Sequence, residues 1–488
     1  MKKNLLLVFV LFLFSTGLSA QESLKALRSN VIEKINGKEY YIHTIKKGQT
    51  LYMISKAYGV DVNDVIKENP EVKEGIRADE KLRIPINKST ESPKKTPKPA
   101  VPQPKPQPVD TQMVAPLVEI LDLPCGQDKS ARKEIYNVAL MLPLFLSETD
   151  EINTDNPPSD AESSYHSLSF IQFYEGFRIA VDSLRKSGIP VRLYIFDVNQ
   201  DTNAAKRILR NPDLKKMDLI IGLLFHRSFQ IVSAFALKNH IPLVNPVSER
   251  ASIINANPYI YKVVPSQESQ VAELTSYLVQ NFQGENILVI KDSQSGDKEA
   301  VEILKQTCAD KNINVKILNG IDDEFTFLSK EKGNVIIVFS ENKVFALELF
   351  TKLNKVRNDF NMTLVGLPRW DKLEGLEPEY LVNLKTHLMV PSFVDYQEQE
   401  TKKFVSGFQE KYKTDPDLLA FQGFDIAFYF ISALRMFGKS IDHCIPGYQI
   451  KTLQSNFQFT QSKGNGFSNQ HWEIFKYENY RLKRVGFR

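Results

Sequence analysis

A proline-rich stretch divides this chain into two parts that we expect to fold separately. Seven prolines lie between Pro93 and Pro108, spaced mainly by Lys, Gln and Thr. Proline lacks a backbone N–H and restricts the residue before it, so this stretch can supply neither a helix nor a central strand. It favours an extended polyproline conformation of ~3.1 Å per residue, which gives a semi-rigid spacer of roughly 50 Å. We interpret residues 87–132 as a linker.

The sequence on both sides of the linker is close to neutral. Lys and Arg number 62 against 58 Asp and Glu, which gives a net charge of +4. Five lysines and two acidic residues between Lys88 and Asp110 account for 5 − 2 = +3 of that excess. A domain that follows nucleic-acid phosphates needs a basic face or stripe. We therefore expect no nucleic-acid partner.

The first 20 residues are typical of a secretory signal peptide. Lys2 and Lys3 precede an apolar run from Leu5 to Phe14, and small residues follow up to Ala20. The run is too short to span a bilayer, which needs ~20 apolar residues. Gln21 stands where a lipoprotein signal would need Cys. We expect cleavage after Ala20, no lipid anchor, no membrane span, and a mature protein in the periplasm or associated with the cell wall.

Three cysteines allow one disulfide and one remaining thiol in an oxidising compartment. Cys308 follows Val301 and Leu304 on a helical pattern and is most simply a buried apolar residue. Cys125 and Cys444 are then the better-placed pair. The sequence has no CxxC motif and no Cys/His pair at zinc-finger spacing, so we expect neither a structural metal nor a cofactor.

Residues 39–86 form a small module whose pattern predicts the order strand–helix–helix–strand. An alternating strand around Tyr41 leads to a turn at Gly48 and to a helix that Thr50 can cap. Apolar residues recur on one face of that helix, at Leu51, Ile54, Ala57 and Tyr58. A second helix begins near Asp61, and residues 82–85 close the module as a strand.

This module resembles a LysM domain, the small peptidoglycan- and chitin-binding fold. The matching pieces are residues 41–44, 48–51, 54–58, 69 and 82–85. Asp79-Glu80 departs from the family, which usually has Gly before its last strand. The resemblance implies a shallow groove for N-acetylglucosamine units of peptidoglycan, formed by Gly48, Gln49, Thr50, Leu51, Asn69, Pro70 and Ile76. The alternative is a module kept only as a spacer for protein interactions.

After the linker, residues 133–488 alternate strands with helices in two runs. Strands are predicted at 135–142, 191–196, 219–221, 242–245, 287–290, 335–339 and 364–366, and helices at 170–184, 228–238, 298–309 and 344–353. Regular alternation predicts parallel, doubly wound sheets. We expect a bilobal α/β domain that binds ligands where strand C-termini face the cleft. Residues 457–486 alternate like a hairpin packed on one lobe.

The large region resembles the type I periplasmic solute-binding fold, the family of branched-chain amino-acid receptors. The matching pieces, within roughly 135–440, are residues 173–180, 197–205, 241–248, 261–266, 404–412, 416 and 423–427. In that family the ligand carboxylate meets hydroxyls and backbone N–H groups at helix N-termini, where the helix dipole favours anions. The resemblance implies a cleft site at His226, Arg227, Ser228, Ser248, Ser293, Ser295, Glu341 and Trp370.

The first of these loops departs from an amino-acid receptor. His226 and Arg227 stand where small and hydroxyl residues are usual in the family. Arg227 can offer a bidentate fork to a carboxylate; the alternative is a solvated loop residue.

Three classes of function fit this arrangement. The first, which we favour, is a non-catalytic exported protein whose LysM module anchors the bilobal domain to peptidoglycan. That domain would bind a small polar solute or a cell-envelope protein, and the protein could also regulate enzymes of peptidoglycan synthesis or hydrolysis. The second is a solute-binding receptor of an amino-acid-type ABC importer. The third, a peptidoglycan enzyme, lacks its parts, because the seven histidines form no HxH pair and no HExxH motif. We assign no catalytic residue.

Overall fold

The structure is a computed structural model that describes residues 28–29, 31–35, 38–45, 51–58, 60, 62–69, 80–86, 125, 133–146, 170–199, 201–292, 298–321, 324–340, 342–366 and 370–485. The expected signal peptide and nearly all of the expected linker lie outside these residues. The chain divides into two compact units. One gathers Met1–Lys105, Asp371–Lys385 and Tyr477–Lys483, and the other contains the rest.

The N-terminal module has two helices between strands, as predicted, and one strand more. Its elements are β1 (Ile32–Ile35), β2 (Lys38–Thr44), α1 (Leu51–Tyr58), α2 (Val62–Glu68) and β3 (Lys81–Pro85). They form an antiparallel sheet in the order β1-β2-β3. Strand β1 was not predicted, because its sequence IEKI does not alternate and its side chains stay largely exposed. The module's core joins both helices to the sheet through Ile45, Ile54, Ala57, Tyr58, Val65, Leu82 and Ile84.

The first βα run contains all the predicted strands and helices of this region, and it adds α4 and β8, which were not predicted. It comprises β4 (Tyr136–Leu142), α3 (Ile171–Lys186), β5 (Val191–Asp197), α4 (Thr202–Ile208), β6 (Leu219–Gly222), α5 (His226–Asn239), β7 (Leu243–Asn245) and β8 (Ile260–Lys262). The five strands are parallel to their neighbours. Boundaries differ from the predicted ones by one or two residues, as expected where helix ends are read from periodicity.

The second run repeats the pattern. It comprises α6 (Gln267–Asn281), β9 (Asn286–Lys291), α7 (Lys298–Asp310), β10 (Val315–Asn319), β11 (Asn334–Ile337), α8 (Lys343–Lys355), β12 (Met362–Gly366), α9 (Pro378–Asn383) and β13 (His387–Val390). Strands β9 to β13 are parallel. We call the sheet built on β4–β8 the first lobe and the sheet built on β9–β13 the second lobe.

The remaining elements are shared between the two lobes. They are α10 (Gln399–Tyr412), α11 (Leu418–Phe437), α12 (Ile441–Cys444), β14 (Phe459–Gln461), β15 (Phe467–Asn469), β16 (Glu473–Glu478) and β17 (Arg481–Arg484). The first sheet has the order β14-β15-β8-β7-β6-β4-β5, and the second has the order β10-β9-β11-β12-β13-β16-β17. The prediction of one C-terminal hairpin on one lobe is therefore wrong. The alternating pattern gives two strand pairs, and the chain changes sheets between Asn469 and Glu473.

Two glycines let α3 and α11 approach until their backbones touch. A Cβ on Gly176 would lie 1.8 Å from the carbonyl oxygen of Ala420, and one on Gly423 would lie 2.1 Å from that of Phe173. No side chain fits at such a distance. The glycines of the two matching motifs therefore fix helix packing in the first lobe.

Helix α11 belongs to the core of the first lobe. Among the described helices it alone has the length and apolar composition to cross a membrane, but most of it is buried inside the protein. Its Asp425 carboxylate is fully buried and accepts hydrogen bonds from the backbone N–H groups of Leu453, Gln454 and Ser455 at 2.7, 2.9 and 2.8 Å. Burial raises the pKa of Asp425 to about 7, although these donors act to lower it.

The structure confirms both inferences about cysteine. Cys125 and Cys444 form a disulfide with Cα atoms 5.6 Å apart, and Cys308 is a buried free thiol. The disulfide attaches the far end of the linker region to α12, at the edge of the first lobe's core.

Candidate functional site

The strand order of the first lobe indicates the edge of its sheet at which a ligand site is expected. Strand β4 pairs with β5 on one side and with β6 on the other. The connections from β4 and β6 therefore leave in opposite directions, which opens a crevice at the carboxyl ends of these strands. The loops after β4, β6 and β7 surround that position.

Helix α5 begins at this edge with its backbone N–H groups uncapped. Phe225 occupies the N-cap position and makes no side-chain hydrogen bond. The first N–H groups of a helix have no intrahelical partner, and the helix dipole is positive there. His226 and Arg227 are exposed on this first turn. The arrangement can accept a carboxylate or another anion.

Two predicted serines differ in their hydrogen bonds: Ser228 lies in the first turn of α5, and Ser248 lies in the loop after β7. Ser228 is buried, and its hydroxyl donates to the carbonyl of Asn199 at 3.4 Å. Ser248 is half-buried, and its hydroxyl accepts from the backbone N–H of Arg250 at 3.3 Å. Ser248 can still donate its hydroxyl proton to a ligand, whereas the Ser228 hydroxyl already has a partner. Ser228 therefore serves chiefly to pack the helix N-terminus.

Asn245 holds the Ser248 loop in shape. Its side chain is buried, and Oδ1 accepts from the N–H groups of Val247 and Ser248 at 3.1 and 2.7 Å. The loop after β4 is held in a similar way. The Asp197 carboxylate accepts from the N–H groups of Leu144 and Leu146, both at 2.9 Å. Both loops are thus positioned by a polar side chain at the end of a neighbouring or preceding strand.

Lys262 is a buried cation at the carboxyl end of β8. Its side chain is fully buried, and Nζ donates to the carbonyl of Val264. Burial lowers the pKa of Lys262 to about 8, against the opposing influence of Glu268 and Glu249. The lysine adds positive potential to the same sheet edge that carries Arg227.

At the corresponding edge of the second lobe, polar side chains hydrogen-bond to one another. Strand β9 pairs with β10 and β11, so the crevice lies at the ends of β9 and β11. The buried Asp292 Oδ2 accepts from Ser340 Oγ at 3.1 Å and from Asn342 Nδ2 at 3.0 Å. Asn342 also caps α8 by accepting from the N–H groups of Val344 and Phe345. Two N–H groups at the start of α8 are thus capped by a side chain of the same lobe.

Trp370 lies in the core of the second lobe, and the expectation that it lines the cleft needs correction. Its ring is 4% exposed and meets Phe350 edge-on with centroids 5.2 Å apart. It also covers Gly366, where a Cβ would lie 2.2 Å from the ring. A ring enclosed in this way packs the lobe and presents no face to a ligand. Three further predicted cleft residues, Ser293, Ser295 and Glu341, lie outside the described residues.

In the N-terminal module the structure describes one predicted groove side chain, that of Asn69. The amide is buried, and Nδ2 donates to the carbonyls of Val65 and Arg83, both at 2.7 Å, while Oδ1 accepts from the Arg83 N–H at 2.9 Å. Asn69 thus joins α2 to β3 and has a structural role. Leu51 begins α1, but its side chain and the residues Gly48, Gln49, Thr50, Pro70 and Ile76 lie outside the description.

Sequence reasoning missed Asn245, Lys262, Asp292 and Asn342. Asn245 and Lys262 end their strands, Asp292 directly follows β9, and Asn342 is the residue before α8. These positions at strand and helix ends of a βα unit are the signal that marks them. Periodicity does not separate a buried polar residue at a strand end from a solvated loop residue, so the pattern alone left them unassigned.

Two protein-family models match this chain. A model described as periplasmic binding protein matches residues 160–443, which is more than half of the chain, and the LysM domain model matches residues 43–85. The chain belongs to the periplasmic binding protein family. Its N-terminal module is a LysM domain. No curated protein sequence matches this periplasmic binding protein.

Several solved structures are similar to this chain. A protein described as a putative branched-chain amino acid ABC transporter from Rhodospirillum rubrum has 13% identity and a TM-score of 0.52, over 72% of this chain and 99% of that one. An ABC transporter substrate-binding protein from Desulfitobacterium hafniense has 14% identity and a TM-score of 0.47, over 72% and 100%. LpoA of Haemophilus influenzae has 13% identity and a TM-score of 0.47, over 73% and 59%. At these identities the likeness to the first structure shows the fold alone.

Proposed function

We propose that this chain is an exported, non-catalytic binding protein whose LysM domain holds it on peptidoglycan while its bilobal domain binds a ligand or partner. The observation that carries the proposal is the presence on one chain of a LysM match and a periplasmic binding protein match. A receptor that delivers solute to a membrane transporter has no need of a second domain that binds the wall. An anchored receptor or scaffold has such a need.

The wall-binding part rests on the LysM family. Gly48, Gln49, Thr50, Leu51, Pro70 and Ile76 are the proposed glycan contacts. Backbone N–H and C=O groups of such loops can hydrogen-bond the acetamide of N-acetylglucosamine, and Leu and Ile can contact its methyl group. One LysM copy gives no avidity, so we expect weak and reversible attachment.

The ligand-binding part rests on the first lobe. The uncapped N-terminus of α5, the exposed Arg227 and the remaining donor of Ser248 point to an anionic group, most simply a carboxylate. We propose these residues and His226 as the primary ligand contacts. The second lobe would then contribute through Ser293, Ser295 and Glu341.

A transport receptor is the second candidate. The likeness of the fold to a protein described as a putative branched-chain amino acid ABC transporter favours it. In that case the bilobal domain would bind an amino acid and the LysM domain would retain the receptor near the wall.

Co-sedimentation with purified peptidoglycan sacculi tests the anchor. The full mature chain is compared with a chain that begins at residue 111, which lacks the LysM domain but keeps Cys125 for its disulfide with Cys444. We expect the full chain to pellet and the shorter one to remain in the supernatant. Soluble N-acetylglucosamine oligosaccharides should release the pelleted chain.

The other outcomes are equally informative. Equal pelleting of both chains would mean that the bilobal domain itself contacts the wall. If neither chain pellets, the anchor function fails and the transport receptor becomes the better reading.

A further inference from the structure

The compact unit that contains the LysM domain also contains two stretches from much later in the chain. They are Asp371–Lys385, which includes α9, and Tyr477–Lys483, the tip of the β16–β17 hairpin. The covalent connection through a proline-rich linker gives the LysM domain no reason to lie with these stretches. Their side chains must supply the reason.

The hairpin tip is a two-residue turn whose second residue is rarely found in the backbone conformation that it adopts. Strand β16 ends at Glu478 and β17 begins at Arg481, and the two residues between them have positive φ, 50° at Asn479 and 61° at Tyr480. Turns of this kind favour Asn or Asp followed by Gly. Asn479 fits that preference. A bulky aromatic residue such as Tyr480 is a clear exception in the left-handed region.

The Tyr480 ring packs on the core of the LysM domain. It is half-buried against the cluster formed by Ile45, Ile54, Ala57, Tyr58, Val65, Leu82 and Ile84, next to Tyr41, Val60 and Ile66 of the same domain. Burial raises the pKa of Tyr480, and the charge of Glu379 in α9 adds to the rise. The contact gives a reason for a tyrosine at a turn position where glycine would be less strained.

Because the linker joins the LysM domain to the rest of the chain, a small contact of this kind is sufficient to hold the domain at the hairpin tip. Tethering turns the encounter into an intramolecular one, with an effective concentration set by the length and stiffness of the connection. The far end of the linker region is fixed by the Cys125–Cys444 disulfide. A surface centred on one aromatic ring can therefore be occupied in the intact chain although it would be too weak to join two separate molecules.

We propose that the tip of the β16–β17 hairpin, with Tyr480 as its anchor, is a docking surface for the LysM domain of the same chain. The docked domain is held close, and the released domain can reach as far as the linker allows. The proposal does not depend on which glycan the LysM domain binds or on any ligand of the cleft.

Small-angle X-ray scattering of the full mature chain tests this docking. We compare the wild type with Tyr480→Gly, which removes the ring and suits the left-handed turn, and with Asn479→Gly, which relaxes the same turn but keeps the ring. We expect the wild type and Asn479→Gly to share one compact distance distribution. Tyr480→Gly should broaden it and extend the maximum dimension by tens of ångströms, toward the linker's reach of roughly 50 Å.

Thermal melting controls for folding. Tyr480→Gly should melt no lower than the wild type, because glycine relieves the strain of the turn. If it melts lower, Tyr480→Asn replaces it, since Asn also tolerates the left-handed region, and the same expansion is expected. A wild-type chain that is already extended, or a folded Tyr480 variant as compact as the wild type, would overturn the proposal.

Discussion

The two lobes share one strand order around their central strands, yet they differ at the edge where ligands bind in this fold. In the first lobe, α5 begins without a side-chain cap and exposes His226 and Arg227. In the second lobe, Asn342 caps α8, and Ser340 donates a hydrogen bond to the buried Asp292 carboxylate. Equal topology therefore does not mean equal chemistry.

The difference indicates that the two lobes have different roles in ligand binding. The N-terminus of α5 has no side-chain acceptor for its first N–H groups, whereas the Asn342 side chain accepts from two N–H groups at the N-terminus of α8. We infer that the first lobe carries the anchoring contacts to an anionic ligand and that the second lobe mainly closes over it. Stability, ligand affinity and pH dependence can each be used to test this comparison.

The largest effect is expected from alanine at the tight glycines of the two lobes. Gly176→Ala places a Cβ 1.8 Å from a backbone carbonyl, whereas Gly366→Ala places one 2.2 Å from the Trp370 ring. The clash at Gly176 can be relieved only if α3 and α11 move apart as whole helices. We therefore expect Gly176→Ala to lower the free energy of unfolding by about 3 kcal/mol or more. Gly366→Ala should cost about 1–3 kcal/mol, because a side chain can shift. Denaturant titration measures both.

A smaller loss at Gly176 than at Gly366 would contradict this order. It would mean that α3 and α11 separate easily, and that the packing of the first lobe is looser than the contact of their backbones indicates.

An intermediate effect is expected on ligand affinity. Titration calorimetry with a panel of free amino acids first identifies a ligand. Arg227→Ala should then weaken its binding about ten- to a hundredfold, since a charge-assisted hydrogen bond is worth about 1.5–3 kcal/mol. Lys343→Ala, at the N-terminus of α8 in the second lobe, is the matched control and should change affinity less than threefold.

Two results would reverse this part of the comparison. Equal losses from both variants would give the second lobe an anchoring role as well. Binding of no amino acid in the panel would exclude these small carboxylates and favour a cell-envelope protein as the partner.

The smallest effect is expected from Lys262→Met, which tests the buried cation of the first lobe. Because the folded-state pKa is lowered from 10.5 to about 8, the folded wild type binds fewer protons than the unfolded chain between these values, and its stability rises with pH there. Methionine removes the buried charge and one hydrogen bond. We expect a gain of about 1 kcal/mol at pH 7 that shrinks as the pH rises from 8 to 10.

Melting curves at pH 7 and pH 10 measure this difference between variant and wild type. A variant that is less stable than the wild type at pH 7 would show that the Lys262–Val264 contact outweighs the cost of burying the charge.

The sequence by itself determined the local elements and their succession. A proline-rich linker can form no core, and the helices and strands predicted in residues 133–366 lie within two residues of their observed bounds, although α4, α6, β8 and β10 were not predicted. Motif glycines, the family resemblances and the buried state of Cys308 also followed from local pattern. The reason is physical: periodicity reports which face of an element is buried, and that is a property of neighbouring residues.

Only the tertiary structure decided which polar residues meet. It placed Trp370 in a core, gave Asn69 a structural role, divided the C-terminal strands between two sheets and packed Tyr480 on the LysM domain. It also showed that the N-terminus of α5 has no side-chain cap, whereas Asn342 caps the N-terminus of α8. These outcomes depend on contacts between residues far apart in the chain, such as Asp292 with Asn342 or Tyr480 with the LysM core. A local pattern carries no information about such partners, because the same alternation or loop composition is compatible with several of them.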